Sequence, residues 1–548
     1  MSIDFDTHRV ENQPPPFAPC DLWRGDPVLR AAVAREGAAW AEPQLGAYGA
    51  LAGDALYAAG VEANRDRPRL ATHDAFGHRV DRVDFHPAYH RLMQAGVEHG
   101  IPGLPWRDPR PGAHVARAAL MILHHEVEQG TSCPLTMTYA AQPALRHAPG
   151  LREWAEKAAA PHYDGRDLPM AKKAGVTLGM GMTEKQGGSD VRANTTHARH
   201  LDRDDYLLVG HKWFFSAPMS DAWLVLAQTG PGLTCFLVPR WRPDGRRNAL
   251  RLMRLKDKLG NWSNASAEVE FAGALGHRVG EEGRGVATIL EMVALTRLDC
   301  MLGAAAQMRM ALAQALHHAR HRRAFGRLLV EHALMQNVLA DLALESEAAI
   351  ALALRVARAV DAAPRDPGEA AFARIATAVG KYWLCKRAPA FVNEAQECLG
   401  GAGYVEESML PRLYREAPLN SIWEGCGNIQ CLDVLRALGR EPATREAVFA
   451  ELAAVRGTHA ALDRAVEALQ ADLARSEAIE FRARLLTERL ALVLQAAILL
   501  RAARDDASAA AVADAFCRSR LEAHHGLAFG TLDPGVDAQA LIERAPAR

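Results

Sequence analysis

The sequence has no apolar run long enough to span a bilayer. Its most apolar stretch, residues 490–500, holds Gln495 and lies between Arg489 and Arg501. That is about half of the ~20 residues a membrane helix needs, so a buried helix is expected there and no membrane partner. The first residues, Met1-Ser2-Ile3-Asp4-Phe5-Asp6, lack a basic flank and an apolar core, and no secretory signal is expected. The nine cysteines are scattered and form no CxxC; Cys426 and Cys431 are the closest pair. This argues against a zinc site or a thioredoxin-like motif and is read as the reduced thiols of a cytoplasmic protein. Excess charge is missing too: 64 basic residues face 65 acidic ones, giving no overall attraction to nucleic acid or membrane. No strand followed by GxGxxG occurs, which excludes a Rossmann dinucleotide fingerprint.

What is present suggests several structural units in 548 residues. Residues 1–180 mix alanine-rich helical patterns with Pro-rich loops. Residues 113–128 repeat apolar positions at helical spacing, and Asp26-Pro27 places a cap and a first-turn proline ahead of a helix reaching Glu36. Between 181 and 280 the period changes. Short apolar or alternating runs at 206–210, 222–227, 234–238 and 267–271, separated by Pro231-Gly232 and Asp244-Gly245, predict antiparallel strands. Residues 281–440 return to helical periodicity, with long helices predicted over 286–321, 334–360 and 369–399. Residues 441–548 are again helical. The expected fold class is α+β, mainly α.

Two motifs carry chemistry. In Asn420-Ser421-Ile422-Trp423-Glu424-Gly425-Cys426-Gly427-Asn428, a lone carboxylate sits on a turn between Pro418 and a helical run. Glycines there allow a tight backbone and close approach of a flat ligand. By itself Glu424 reads equally as a solvated turn residue. Its counterpart is Met182-Thr183-Glu184-Lys185-Gln186-Gly187-Gly188-Ser189-Asp190. A third feature, residues 320–327 with His317, His318 and His321 nearby, is a basic run open to three readings: a solvated helix end, a nucleic-acid contact or a phosphate clamp.

These motifs, with Arg323-Ala324-Phe325-Gly326 and Gly400-Gly401-Ala402-Gly403-Tyr404 between them, resemble the acyl-CoA dehydrogenases in order and spacing. Asn12-Gln13-Pro14, the 182–190 motif, Leu255-Lys256-Asp257-Lys258-Leu259-Gly260-Asn261 and Asn420-Ser421-Ile422-Trp423-Glu424-Gly425 resemble its AidB-type, alkylation-response branch. The resemblance implies an N-terminal helical domain (1–180), a β-barrel (181–280), a four-helix FAD domain (281–440) and a C-terminal helical extension (441–548), assembled as a homotetramer. It implies α,β-dehydrogenation of an acyl-CoA thioester, short or branched, with an unassigned electron acceptor. Glu424 takes the catalytic-base position. Met182, Thr183, Gly188, Ser189, Phe214 and Ser216 fall on the flavin-lining barrel positions, and Ile422, Trp423, Gly425 and Asn428 on the base loop. Arg323 and Phe325 fall on the pyrophosphate clamp, and Gly400 and Gly401 on the loop that admits the ADP part of FAD. An acyl-CoA oxidase, in which oxygen reaches the reduced flavin, shares these motifs.

Lys185 stands where the general family has proline, Glu397 where it has glutamine and Cys426 where it has threonine. The AidB branch also implies double-stranded DNA as a partner and protection against alkylation, with the dehydrogenase site weak or vestigial in the alternative reading. Linear charge supports this thinly. Residues 441–548 contain no lysine, and Arg482, Arg484 and Arg489 alternate with Glu480 and Glu488 as on a solvated helix face. Arg518 and Arg520 are the DNA candidates. Arg436, two turns into the helix after the base loop, is expected to pair with a carboxylate, to narrow the pocket or to lie on a solvated face.

Overall fold

The computed structural model describes residues 7–504, 506–522 and 525–546. Its first helix, α1 (Pro27–Arg35), starts where Asp26-Pro27 predicts, because the Asp26 side chain accepts the Leu29 N–H at 2.8 Å. Sequence periodicity missed the hairpin β1 (Arg69–His73) and β2 (Arg79–Asp84) within the otherwise helical first part. Five of its eleven strand residues are charged and its few apolar ones, Leu70, Ala71, Val80 and Val83, do not alternate, so no periodic pattern marks it. The turn is built locally, with the Asp74 carboxylate accepting the N–H groups of Phe76 and His78 (both 2.9 Å). Two buried helices follow, α2 (Ala113–Val127) and α3 (Ser132–Ala140).

The middle of the chain is a seven-stranded sheet: β3 (Leu178–Gly181), β4 (His197–Asp202), β5 (Asp205–Ser216), β6 (Ala222–Thr229), β7 (Gly232–Pro239), β8 (Leu250–Leu255) and β9 (Ser266–Val279). The strands expected from alternation fall within β5, β6, β7 and β9. Strand β7 pairs with both β6 and β9, while β4 bridges β6 and β5, so the sheet closes on itself. Closure removes exposed edges. Side chains of β5, β6, β7 and β9 fill the interior, among them Phe215, Trp223, Phe236 and Phe271.

Helix α4 (Gly285–His321) is 37 residues long and packs with α5 (Ala333–Ala362) and α6 (Pro367–Glu397), and α6 packs with α7 (Gly427–Arg440). A buried ion pair ties α2 to α4: Arg117 Nη2 meets Asp299 Oδ2 at 2.6 Å, and Thr136 Oγ1 donates to the same oxygen at 2.6 Å. Each partner thereby gains hydrogen bonds that offset its desolvation. The extension contributes α8 (Ala483–Ala502) and α9 (Ala507–Arg520). The apolar run 490–500 is buried within α8, where Trp383 of α6 donates its indole N–H to Gln495 at 2.9 Å. Among the described residues no helix is long and apolar enough to cross a membrane.

Candidate active site

The base loop ends in α7, and Glu424 holds the left-handed region at φ 57°. A non-glycine residue there costs of order 1–3 kcal/mol and persists only where its surroundings fix it. They do so through the backbone. Lys381, fully enclosed in α6, donates to the carbonyls of Trp423 (2.9 Å) and Gly425 (2.6 Å). Arg297 of α4 donates Nε to the Glu424 carbonyl at 3.0 Å and Nη1 to Asp433 at 2.8 Å. Gln430 reaches the Glu424 and Gly425 carbonyls at 3.1 and 2.9 Å. Gly425 is required: at φ 93° a Cβ would lie 2.8 Å from Gln430 Nε2.

Among the described residues the carboxylate itself carries no ion pair. Thr296 Oγ1 donates to Glu424 Oε2 at 2.7 Å. Burial raises the Glu424 pKa above the ordinary glutamate value, against the opposing pull of the Thr296 hydrogen bond and the charges of Arg297 and Lys381. The cations thus spend their hydrogen bonds on backbone and leave the carboxylate free to accept a proton. Arg436 is resolved as a carboxylate partner: it pairs with Asp433 on its own helix, where Arg297 and Arg374 also converge. Burial alone would raise Asp433, but Arg374 and Arg297 outweigh it and hold the group ionised.

The 182–190 motif forms the loop after β3. Its anchor is Glu184, fully buried and paired with buried Lys212 at 2.8 Å, with further hydrogen bonds from Gln186, Thr195 and Thr196. Met182 and Trp423 pack on one apolar cluster with Cys133, Met180 and Ala217, so the barrel loop and the base loop share a wall. Cys133 neighbours both Ser216 and Glu424 across that wall. Ser216 Oγ is 3.4 Å from Ser266 Oγ, and Phe214 is half-exposed, an unburied aromatic face beside the site. Gly188 is also required, because a Cβ would meet Thr183 Oγ1 at 2.3 Å. Ser189 is exposed at the rim.

Other expected residues stand elsewhere on the chain. Arg323 and Phe325 occupy the hairpin of β10 (Arg323–Ala324) and β11 (Arg327–Leu328), which is tied to the N-terminal strap. The Asn12 side chain accepts the Arg323 N–H at 2.7 Å and donates to its carbonyl at 2.9 Å. Phe325 is 97% exposed and Ile422 63% exposed. Gly400 and Gly401 are exposed with open space where a Cβ would be. Asn428, in the first turn of α7, accepts from Arg484 of the extension at 2.9 Å. The DNA candidates both stand in ion pairs. Arg520 is enclosed and paired with Asp341 and Glu345, and Arg518 pairs with Asp533 and Asp514, so neither offers a free cation.

Residues 12–165 match the adaptive response protein AidB N-terminal domain, 179–274 the acyl-CoA dehydrogenase middle domain and 283–439 the acyl-CoA dehydrogenase C-terminal domain. The AidB protein of Escherichia coli (strain K12) is 48% identical over 530 residues, covering 96% of each chain. The chain belongs to the AidB-type branch of the acyl-CoA dehydrogenase family. Among solved structures, Caenorhabditis elegans ACDH-11 in complex with C11-CoA superposes with a TM-score of 0.85 at 28% identity, covering 94% of each chain. Bd2924 in its apo form gives 0.82 at 26% identity, covering 90% of this chain and 100% of its own. As an acyl-CoA dehydrogenase homologue the protein is a flavin oxidoreductase of a family that binds FAD. The residues fit such a group. The side-chain-free cradle at Gly188, the half-exposed Phe214 ring and the hydroxyls of Thr183 and Ser216 supply the stacking face and neutral donors that an isoalloxazine takes.

The supports of the base were not read from the sequence. Thr296, Arg297 and Lys381 lie inside long helical runs, where each reads as a polar interruption. The signal of the two cations is a charge on an otherwise apolar face, as in Val379-Gly380-Lys381-Tyr382-Trp383-Leu384.

Proposed function

We propose that the protein oxidises an acyl-CoA thioester at its α,β-bond, with Glu424 as the base that removes the α-proton. FAD, when bound, would accept the β-hydride. Met182, Thr183, Gly188, Ser189, Phe214 and Ser216 would hold it in this subunit, with Ile422, Trp423, Gly425 and Asn428 of the base loop. Arg323, Phe325, Gly400 and Gly401, exposed on this chain, would complete the dinucleotide site across a subunit boundary of a homotetramer.

One observation carries the reading: a desolvated carboxylate with no ion pair among the described residues, raised in pKa, on a strained backbone fastened by three side chains. A carboxylate that is to take a carbon-bound proton needs a pKa near the working pH and a fixed position, and both are built here. Proton transfer of this kind contributes about 10²–10⁴-fold. The apolar wall of Cys133, Met180, Ala217 and Trp423 excludes water from the carboxylate.

The test is an anaerobic visible-spectrum titration of the flavin-loaded protein with a panel of short, branched and long acyl-CoAs. Bleaching by one of them, lost in Glu424→Gln while the flavin stays bound, is the expected result. Undiminished bleaching in the variant would remove Glu424 from the role. The second reading, a DNA-protective flavoprotein with weak dehydrogenase activity in the alkylation response, draws on the match of residues 12–165 to an adaptive response domain. It requires double-stranded DNA affinity that falls steeply with salt, because phosphate contacts release counterions. Salt-insensitive or absent binding in a gel shift at low salt removes it.

A further inference from the structure

The wall facing the base holds polar groups that the proton transfer does not use. Asn264 is 2% exposed, yet apart from the Cys133 thiol beside it neither its amide nitrogen nor its amide oxygen has a hydrogen-bond partner among the described residues. A buried polar group left unpaired costs about 1–3 kcal/mol, so an orphaned amide beside an active site points to a ligand. Lys258 stands next to it, donating Nζ to the Asn264 carbonyl at 2.7 Å and lying 3.5 Å from Ser266 Oγ. An ammonium has three protons, and these two acceptors are neutral. The acids that face Lys258 are engaged elsewhere. Glu416 accepts the Asn261 N–H at 2.5 Å, and Glu128 takes Gly130, Thr131 and Ser263 at 3.0, 2.6 and 2.6 Å. Arg67, the cation on the same side, is bound to Asp257 at 2.6 Å and lies over Trp262. Burial pulls the Lys258 pKa down to about 8, as for a cation lacking a carboxylate partner.

The wall is closed from behind. A Cβ on Gly130 would meet Ser263 Oγ at 1.9 Å, so the segment leading into α3 is pressed against the Asn264 loop. Cys133, in the first turn of α3, neighbours Lys258, Asn264 and Glu424 alike. A chain whose α-carbon lies at Glu424 therefore runs past Cys133 toward an ammonium and a free amide.

We propose, resting on the dehydrogenase reading, that Lys258 and Asn264 form a subsite for a carboxylate at the far end of a short acyl chain. The substrate class is then the CoA half-thioesters of short dicarboxylic acids. The Asn264 amide would give one N–H to the Cys133 sulfur, leaving its other N–H and the Lys258 ammonium for the two carboxylate oxygens.

The flavin-loaded full chain is titrated anaerobically with matched pairs, succinyl-CoA against butyryl-CoA and glutaryl-CoA against pentanoyl-CoA. Kd is read from the flavin spectrum. The diacid member of at least one pair binds at least tenfold tighter, and Lys258→Met and Asn264→Ala each cut that preference at least fivefold with flavin retained. Equal or weaker diacid binding in both pairs overturns the inference, as does a preference unchanged in both variants. Loss of flavin from both variants also overturns it, by assigning the wall to the cofactor. Bleaching by pentanoyl-CoA or butyryl-CoA without diacid preference sinks this inference alone. Silence with every acyl-CoA sinks the dehydrogenase reading and this inference together.

Discussion

Replacing Thr296 by valine should move the acid limb of the reaction upward in pH. Thr296 has one hydroxyl proton and two acceptors in reach, Glu424 Oε2 at 2.7 Å and the Val293 carbonyl at 3.1 Å. The shorter contact to the carboxylate takes the proton once Glu424 is ionised. A hydrogen bond to a charged group is worth about 1.5–3 kcal/mol, and one pKa unit is about 1.4 kcal/mol. The full value would be one to two units, and because Glu424, unlike the buried Thr296, keeps partial exposure the lower end, about one unit, is the expectation. The sign follows from the bond favouring the ionised form. Burial already holds the Glu424 pKa above its ordinary value, and losing the bond raises it further. Since the base acts deprotonated, the rate of substrate-driven bleaching below the limb should fall about tenfold, while the two proteins converge at higher pH. Stopped-flow bleaching across pH, with Thr296→Ser as the control that keeps the hydroxyl, measures this. A limb that stays in place, moves to lower pH, or gives way to an equal loss at every pH would refute the assignment of Thr296 to the Glu424 proton.

Two further outcomes separate the other readings. Arg520→Ala leaves Asp341 and Glu345, each with a 3% exposed side chain, without their shared cation. A loss of about 3–5 kcal/mol in chemical denaturation is expected. A variant of unchanged stability with weakened, salt-dependent DNA binding would instead restore Arg520 as a DNA contact. Gly188→Ala forces a Cβ onto Thr183 Oγ1 and should weaken flavin affinity at least tenfold, measured by fluorescence quenching on reconstitution of the apoprotein. Unaltered affinity would detach the 182–190 loop from the cofactor.

The long helices and the barrel strands were legible because each has a periodic apolar pattern that its own burial demands, as in α4 with its near-continuous buried run. The β1–β2 hairpin was not, because its few apolar residues do not alternate and its turn is made by one aspartate bonding to local N–H groups. Glu424 could be picked out in the sequence through the glycine that must follow it. That its pKa is raised could not, since this depends on burial by packing, only partly offset by Thr296, Arg297 and Lys381 arriving from two other helices.

The sequence by itself determined the order of helical and strand segments, the family motifs and the positions at which only glycine fits. Periodicity, turn chemistry and motif spacing are local properties, written along the chain. Tertiary structure alone decided which charges are spent. It turned Arg520 inward onto two carboxylates, directed Arg297 and Lys381 to backbone carbonyls rather than to Glu424, and left Asn264 and Lys258 incompletely satisfied beside the base. The physical reason is that the worth of a charge or an amide is set by the partners and the water that packing brings to it or removes, and those partners are distant in sequence.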